Sequence, residues 1–140
     1  MARSDLMEGL HTKLTNVAGN TYAQLGNRKR VWPSPAPEQA TVGNNDPLVT
    51  YQMIFATPEH GMGGPAPDYY EDWQFTAYAT LGSRARNVLI NGVIADLDAL
   101  GAVSLGSAAI KGSKVLRQNP AFFEPEAELH QASADVRFWL

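Results

Sequence analysis

Apolar and polar positions alternate along this chain with two different periods. Behind Ser4 and Asp5, whose side-chain oxygens can cap a helix, Leu6, Leu10, Leu14 and Val17 recur at helical spacing until Gly19 and Asn20. This predicts a first helix with one apolar stripe. Residues 28–32 can form a short strand ended by Pro33, Pro35 and Pro37, and residues 33–47 show no period, which predicts a long arm. From Leu48 to Ala56 the period is two, with Val49, Tyr51, Met53 and Phe55 on one face and Thr50 and Gln52 on the other. A second such run, residues 69–79, puts Trp73, Phe75, Ala77 and Ala79 on one side and Asp72, Gln74, Thr76 and Tyr78 on the other. Between the two runs, residues 57–67 hold too many glycines and prolines for any regular element, so the strands are expected to form a long-looped hairpin.

A second helix is expected from a cap at Ser83 to Gly101, with Val88, Leu89, Val93, Ile94, Leu97 and Leu100 as its apolar face. Gly92 within it implies close packing, expected against Ala77 or Ala79 of the sheet. Residues 108–117 and 129–140 read as two more strands around an acidic loop at 119–128, and in the last one Ala132, Ala134, Val136 and Phe138 point inward while Ser133, Asp135 and Arg137 point outward. This order of elements predicts a single α+β domain: two helices packed on one face of a mainly antiparallel β-sheet, with long loops.

Composition narrows the function. The chain has 140 residues, enough for one core and too few for two. Charged residues make up 18%, below the roughly 25% of ordinary soluble domains, while 44% are hydrophobic. Such a lightly charged surface suits one covered by other subunits. The net charge of −3 argues against a dedicated nucleic-acid binder, and the one dense basic patch is Arg28, Lys29 and Arg30. With no cysteine there is no disulfide framework or thiolate metal site, and the cytosol is the default compartment. No apolar run approaches the roughly 20 residues that a membrane helix needs.

Catalytic seeds are few. His11, His60 and His130 lack metal-ligand spacing, and the loop from Thr57 to Gly64 lacks the glycine spacing that cradles phosphates. No catalytic, cofactor or metal residue is expected. Glu124, Glu126 and Glu128 make an acidic cluster whose ordinary place is a solvated hairpin tip, and the basic trio is ordinarily a solvated strand end. Their alternative use is to pair across two copies of the chain. Val42 in the arm, and Glu59, His60 and Met62 in the Gly/Pro loop, are candidate contacts because both segments are long, unpatterned and carry apolar anchors. Trp139 suits core and interface burial equally.

The run Arg30-Val31-Trp32-Pro33, then Val49-Thr50-Tyr51-Gln52, then Thr57-Pro58-Glu59-His60-Gly61, resembles the DUF3168 family of phage tail-completion and tail-terminator proteins. A helix near Ser83 with Arg84 and Ala85, a strand ending in Arg117, the acidic loop at Glu124 and Glu128, and the closing Asp135-Val136-Arg137-Phe138-Trp139 follow the same order. The arm at 33–47 is longer than the family pattern, and the turn from Gly101 to Gly106 is rich in small residues. The resemblance implies no enzyme. It implies a virion protein of a tailed phage, assembled in the host cytoplasm and placed at the neck end of the tail. Such proteins form a homo-oligomeric ring, usually a hexamer, that caps the tail tube, stops its polymerisation and joins it to the head connector or stopper. DNA would pass through the lumen without specific binding, along polar faces near Gln52, Asp72 and Gln74. Other readings are a different neck connector, a tail-tube subunit, a small hydrolase using His60 with Glu59 or the acidic cluster, and a ligand-binding module with the Gly/Pro loop as lid.

Overall fold

A computed structural model describes residues 3–36, 46–57, 60–61, 64–65, 69–125 and 129–140. Its elements in chain order are helices α1 (Arg3–Leu14) and α2 (Asn20–Gln24), then strands β1 (Val31–Pro33), β2 (Leu48–Ala56), β3 (His60–Gly61), β4 (Gly64–Pro65) and β5 (Tyr70–Ala79). A continuous helical rod follows, α-helical over Gly82–Asn87 (α3), π-helical over Val88–Ile94 and α-helical again over Ala95–Leu97 (α4). Strands β6 (Val103–Leu105), β7 (Ala108–Ile110), β8 (Gly112–Glu124) and β9 (Leu129–Trp139) complete the chain. The main sheet runs β1-β2-β5-β9-β8, antiparallel throughout except that β1 lies parallel to β2. The α+β architecture is as the periodicity predicts.

The core forms between the helices and one face of this sheet. Tyr51, Trp73, Phe75, Val136 and Phe138 from the sheet meet Leu6, Leu10 and Leu14 of α1 and Val88, Leu89, Val93 and Leu97 of the rod in one buried cluster. Phe75 lies at its centre, with Tyr51 at 6.2 Å and Phe138 edge-on at 6.4 Å between ring centroids. Burial pushes the Tyr51 hydroxyl above the usual tyrosine pKa, because the ionised form would lose its water.

Several boundaries differ from the sequence expectation. α1 ends at Leu14, and Val17 is exposed outside it, since the Asn16 side chain accepts the Ala18 N–H at 2.9 Å and starts a turn. The rod begins at Gly82 after Leu81, without a side-chain cap from Ser83, and ends at Leu97 rather than running to Gly101. There Ala99 adopts a φ of 54°, and the Ser113 hydroxyl accepts the Leu100 N–H at 2.9 Å. Gly92 packs not on the sheet but on α2, where a Cβ would stand 3.2 Å from Thr21 Cα. Gly9 is the tighter case, since a Cβ there would lie 1.9 Å from the Leu105 carbonyl oxygen, so only glycine lets α1 settle on β6.

Two short features went unpredicted, the first because its partner is remote in sequence. The helix α2 is held by Asp96 of α4, whose carboxylate accepts the backbone N–H groups of Asn20 and Thr21 at 3.0 and 2.8 Å and the Thr21 hydroxyl at 2.6 Å. The segment expected to be pure loop contains the two-residue ladder of β3 and β4. The last hairpin is longer than expected as well: β8 runs on past Arg117 and carries Glu124 within the strand, through register shifts at 115/117 and 119/122.

Candidate functional site

Strand register sorts the residues of the sheet into rows that cross it. On the face away from the helices, one row reads Gln52, Gln74, Asp135 and Arg117 across β2, β5, β9 and β8. It is linked side chain to side chain: Gln52 donates to Gln74 at 3.2 Å, Gln74 to Asp135 at 3.3 Å, and Arg117 approaches Asp135 at 3.9 Å. The row on one side of it holds Thr50, Thr76, Ser133 and Asn119, with Asn119 donating to the Ser133 hydroxyl at 2.8 Å. On the other side stand Phe55, Asp72, Arg137 and Lys114. Arg137 grips Asp72 with two hydrogen bonds at 2.8 and 3.1 Å and lies over the Tyr70 ring at 3.8 Å. The Asp72 hydrogen bond raises the guanidinium pKa above its ordinary value, against a smaller lowering by partial burial.

This open face corrects two expectations. Phe55 does not continue the inward row of Tyr51 and Met53, because a bulge between Met53 and Phe55 turns it outward, where it is 51% exposed and 5.9 Å from the Tyr70 ring. Asp72 was expected on a free polar wall with Gln52 and Gln74. Gln52 is exposed and Gln74 half-buried, but Asp72 is buried and neutralised by Arg137. Trp139 shares the open face and is half-buried, in register with Tyr70 and Gly112.

The two lateral edges carry most of the other predicted contacts. At the β1 edge, Arg28 pairs with Asp46, and Arg30 donates to the carbonyls of Pro47 and Asp46 at 3.2 and 3.4 Å and sits 5.5 Å above the Trp32 ring. These two arginines hold the returning foot of the arm within their own chain. Lys29 between them is exposed and makes no ion pair among the described residues. Above it, α1 and the strand edge enclose an open groove of about 540 Å³ lined by Met7, Glu8, His11, Pro33 and Tyr51. At the β8 edge, Leu116 and Phe123 are 45% and 50% exposed, and Phe123 lies 5.0 Å from the His130 ring. Glu124 ends β8 in register with Leu129.

His60 falls in β3, in register with Pro65 of β4. Val42, Glu59, Met62 and Glu126 lie outside the described residues. Among the described residues no three His, Asp or Glu side chains gather as metal ligands, and no helix is long and apolar enough to cross a membrane. Sequence reasoning missed the groove, whose lining comes from α1, β1 and β2. It also missed the outward turn of Phe55, for which the sequence holds no turn residue as a signal.

The sequence matches no protein-family model, and no curated protein matches it. Among solved structures, this chain is similar to a chain in the virion of a native gene transfer agent (GTA) particle, with a TM-score of 0.70 and 16% sequence identity over 97% of this chain and 94% of that chain. At that identity the likeness is one of fold, and it extends over almost the whole of both chains.

Proposed function

We propose that this protein is a structural component of a phage-like virion, a tail terminator that forms a ring on the end of the tail tube, stops tube growth and presents a surface to the head connector. The observation that carries this reading is the fold shared from end to end with a chain of a gene transfer agent virion. The resemblance of the Arg30–Pro33, Val49–Gln52 and Asp135–Trp139 segments to tail-completion proteins supports the finer role. In this reading the protein works by docking, not by chemistry.

The open sheet face fits the wall of a DNA channel. The carboxylates of its three rows each face an arginine, Asp72 with Arg137 and Asp135 with Arg117, which leaves Lys114 as the excess charge there and only a small net field to hold phosphates. A channel wall must let DNA slide. The partners in this reading are further copies of the chain, the tail-tube protein and a connector or stopper protein.

The test is the mass of the purified protein by light scattering, alone and after mixing with tail tubes, followed by negative-stain imaging. Rings, or a cap at one end of each tube, are the expected result. A protein that remains monomeric in both settings overturns the terminator reading.

A further inference from the structure

The two edges of the main sheet are complementary at matched heights, and they run in opposite directions. β1 runs parallel to β2, and three successive antiparallel pairings lead from β2 to β8, so β1 and β8 are antiparallel at opposite sides of the sheet. Copies related by rotation about an axis along the strands keep their tops and bottoms aligned. They bring the β8 edge of one copy against the β1 edge of the next, a head-to-tail contact that closes into a ring when the rotation between copies divides a full turn.

Register fixes what would meet there. One row runs Leu48, Tyr78, Gln131 and Phe122, and the Arg30 carbonyl accepts the Val49 N–H at 3.0 Å, which sets Arg30 beside Leu48. Lys29 is therefore level with the row of Phe123, and Glu124 is one row below it. Higher up, Pro33, Tyr51, Phe75, Ala134 and Gln118 share a row, and Leu116 protrudes from the bulge just above its β8 end. The apolar groove at Pro33 and the exposed Leu116 thus stand near one height on opposite edges. A basic group and an acidic strand end form a second match below them.

We propose that copies of this chain join edge to edge, with Leu116 of one copy entering the groove between α1 and β1 of the next, and with the end of β8 at Glu124 set beside that neighbour's Lys29. The contact rests on the ring reading above and specifies how the ring closes. Arg28 and Arg30 do not take part through their charges, because both hold the foot of the arm in their own chain. Pro120 and the register shifts of β8 interrupt its row of backbone donors, so side chains rather than a continuous strand ladder make the contact.

The test uses full-length protein and four variants: Leu116→Asp, Lys29→Glu, Glu124→Lys and the double swap of Lys29→Glu with Glu124→Lys. Melting temperature serves as the folding control, and all four are expected to melt close to the parent because Lys29 and Leu116 are exposed and Glu124 is the last residue of an edge strand. Assembly is read by light scattering and negative stain, in solution and at tube ends. Leu116→Asp is expected to abolish rings at concentrations where the parent assembles. Each single reversal should raise the concentration needed by about tenfold, and the double swap should recover most of that loss. If the parent forms rings and Leu116→Asp assembles equally well, or the double swap does no better than the singles, this contact is wrong while the ring reading stands. A parent that never assembles overturns both.

Discussion

The two faces of one sheet solve the problem of burial in opposite ways. On the helix side, the rows Tyr51–Phe75–Ala134 and Met53–Trp73–Val136 are apolar and are held by contact area and shape. On the open side, the row Gln52–Gln74–Asp135–Arg117 is polar and is held by side-chain hydrogen bonds across three strands and a looser ion pair to the fourth. The inner face gains its stability from removing carbon from water, a term that is non-directional and large. The outer face gains little net energy per bond, because water would serve the same groups nearly as well. What its network supplies is a fixed pattern of side chains over the sheet face. A face kept polar and ordered, with its carboxylates matched by arginines, without contributing much to stability is better explained by what touches it than by folding.

The sharpest way to break this contrast is to empty the inner face. Phe75→Ala removes a fully buried ring that touches both Tyr51 and Phe138, and a loss of about 4 kcal/mol is expected from transfer and cavity terms together. Urea unfolding would check it. A loss under about 1 kcal/mol would mean that the core is far more plastic than its packing implies.

One polar residue on the inner face tests the rule from the other side. Glu71 is fully buried there, and its carboxylate accepts the Trp73 indole N–H at 3.0 Å and the Tyr69 hydroxyl at 2.9 Å. Glu71→Ala leaves the buried indole donor without a partner and opens a void, for an expected cost of about 3 kcal/mol. If Glu71→Gln, which keeps an acceptor, is much milder in the same unfolding assay, the hydrogen bonds rather than the volume hold this corner. On the outer face the strongest link is Arg137 with Asp72. Arg137→Ala should cost about 2 kcal/mol, because it removes a two-point hydrogen bond to a buried carboxylate and the cover over Tyr70.

Much of this division was legible in the sequence. Period-two alternation over residues 48–56, 69–79 and 129–140 assigns inward and outward residues correctly wherever the strand is regular, as Val49 and Tyr51 or Ala132 and Phe138 show. It fails at Phe55, because a bulge adds one residue and reverses the alternation with no change in residue type. Strand β8 was cut short as well: residues 119–128 with their acids read as a loop, yet an edge strand with register shifts tolerates both Pro120 and Glu124. Interactions between distant segments left no trace at all. Asp96 gives no sign that it holds α2, some 75 residues earlier, and Arg28 and Arg30 read as free charge although they bind the foot of the arm. The candidate site suffered most from this, since a groove built by α1, β1 and β2 has no local pattern. The cross-sheet rows become visible only once register is known.

The smallest effect on stability should carry the largest functional meaning. Gln52 is exposed on the open face, and among the described residues its side chain makes one hydrogen bond there, to Gln74. Gln52→Lys should therefore shift stability by no more than about 0.5 kcal/mol. In a ring, however, the same change repeats once per subunit and puts a belt of positive charge on that face. If the open face lines the channel, the belt would hold phosphates more tightly than the parental face does, and assembled particles should deliver DNA more slowly, with the defect relieved as salt is raised. Gln52→Glu is the control, since a negative belt repels phosphate and should not show the salt-relieved delay. If both variants assemble and deliver DNA at the parental rate, the open face does not look onto DNA, and its ordered polar rows must instead meet a protein.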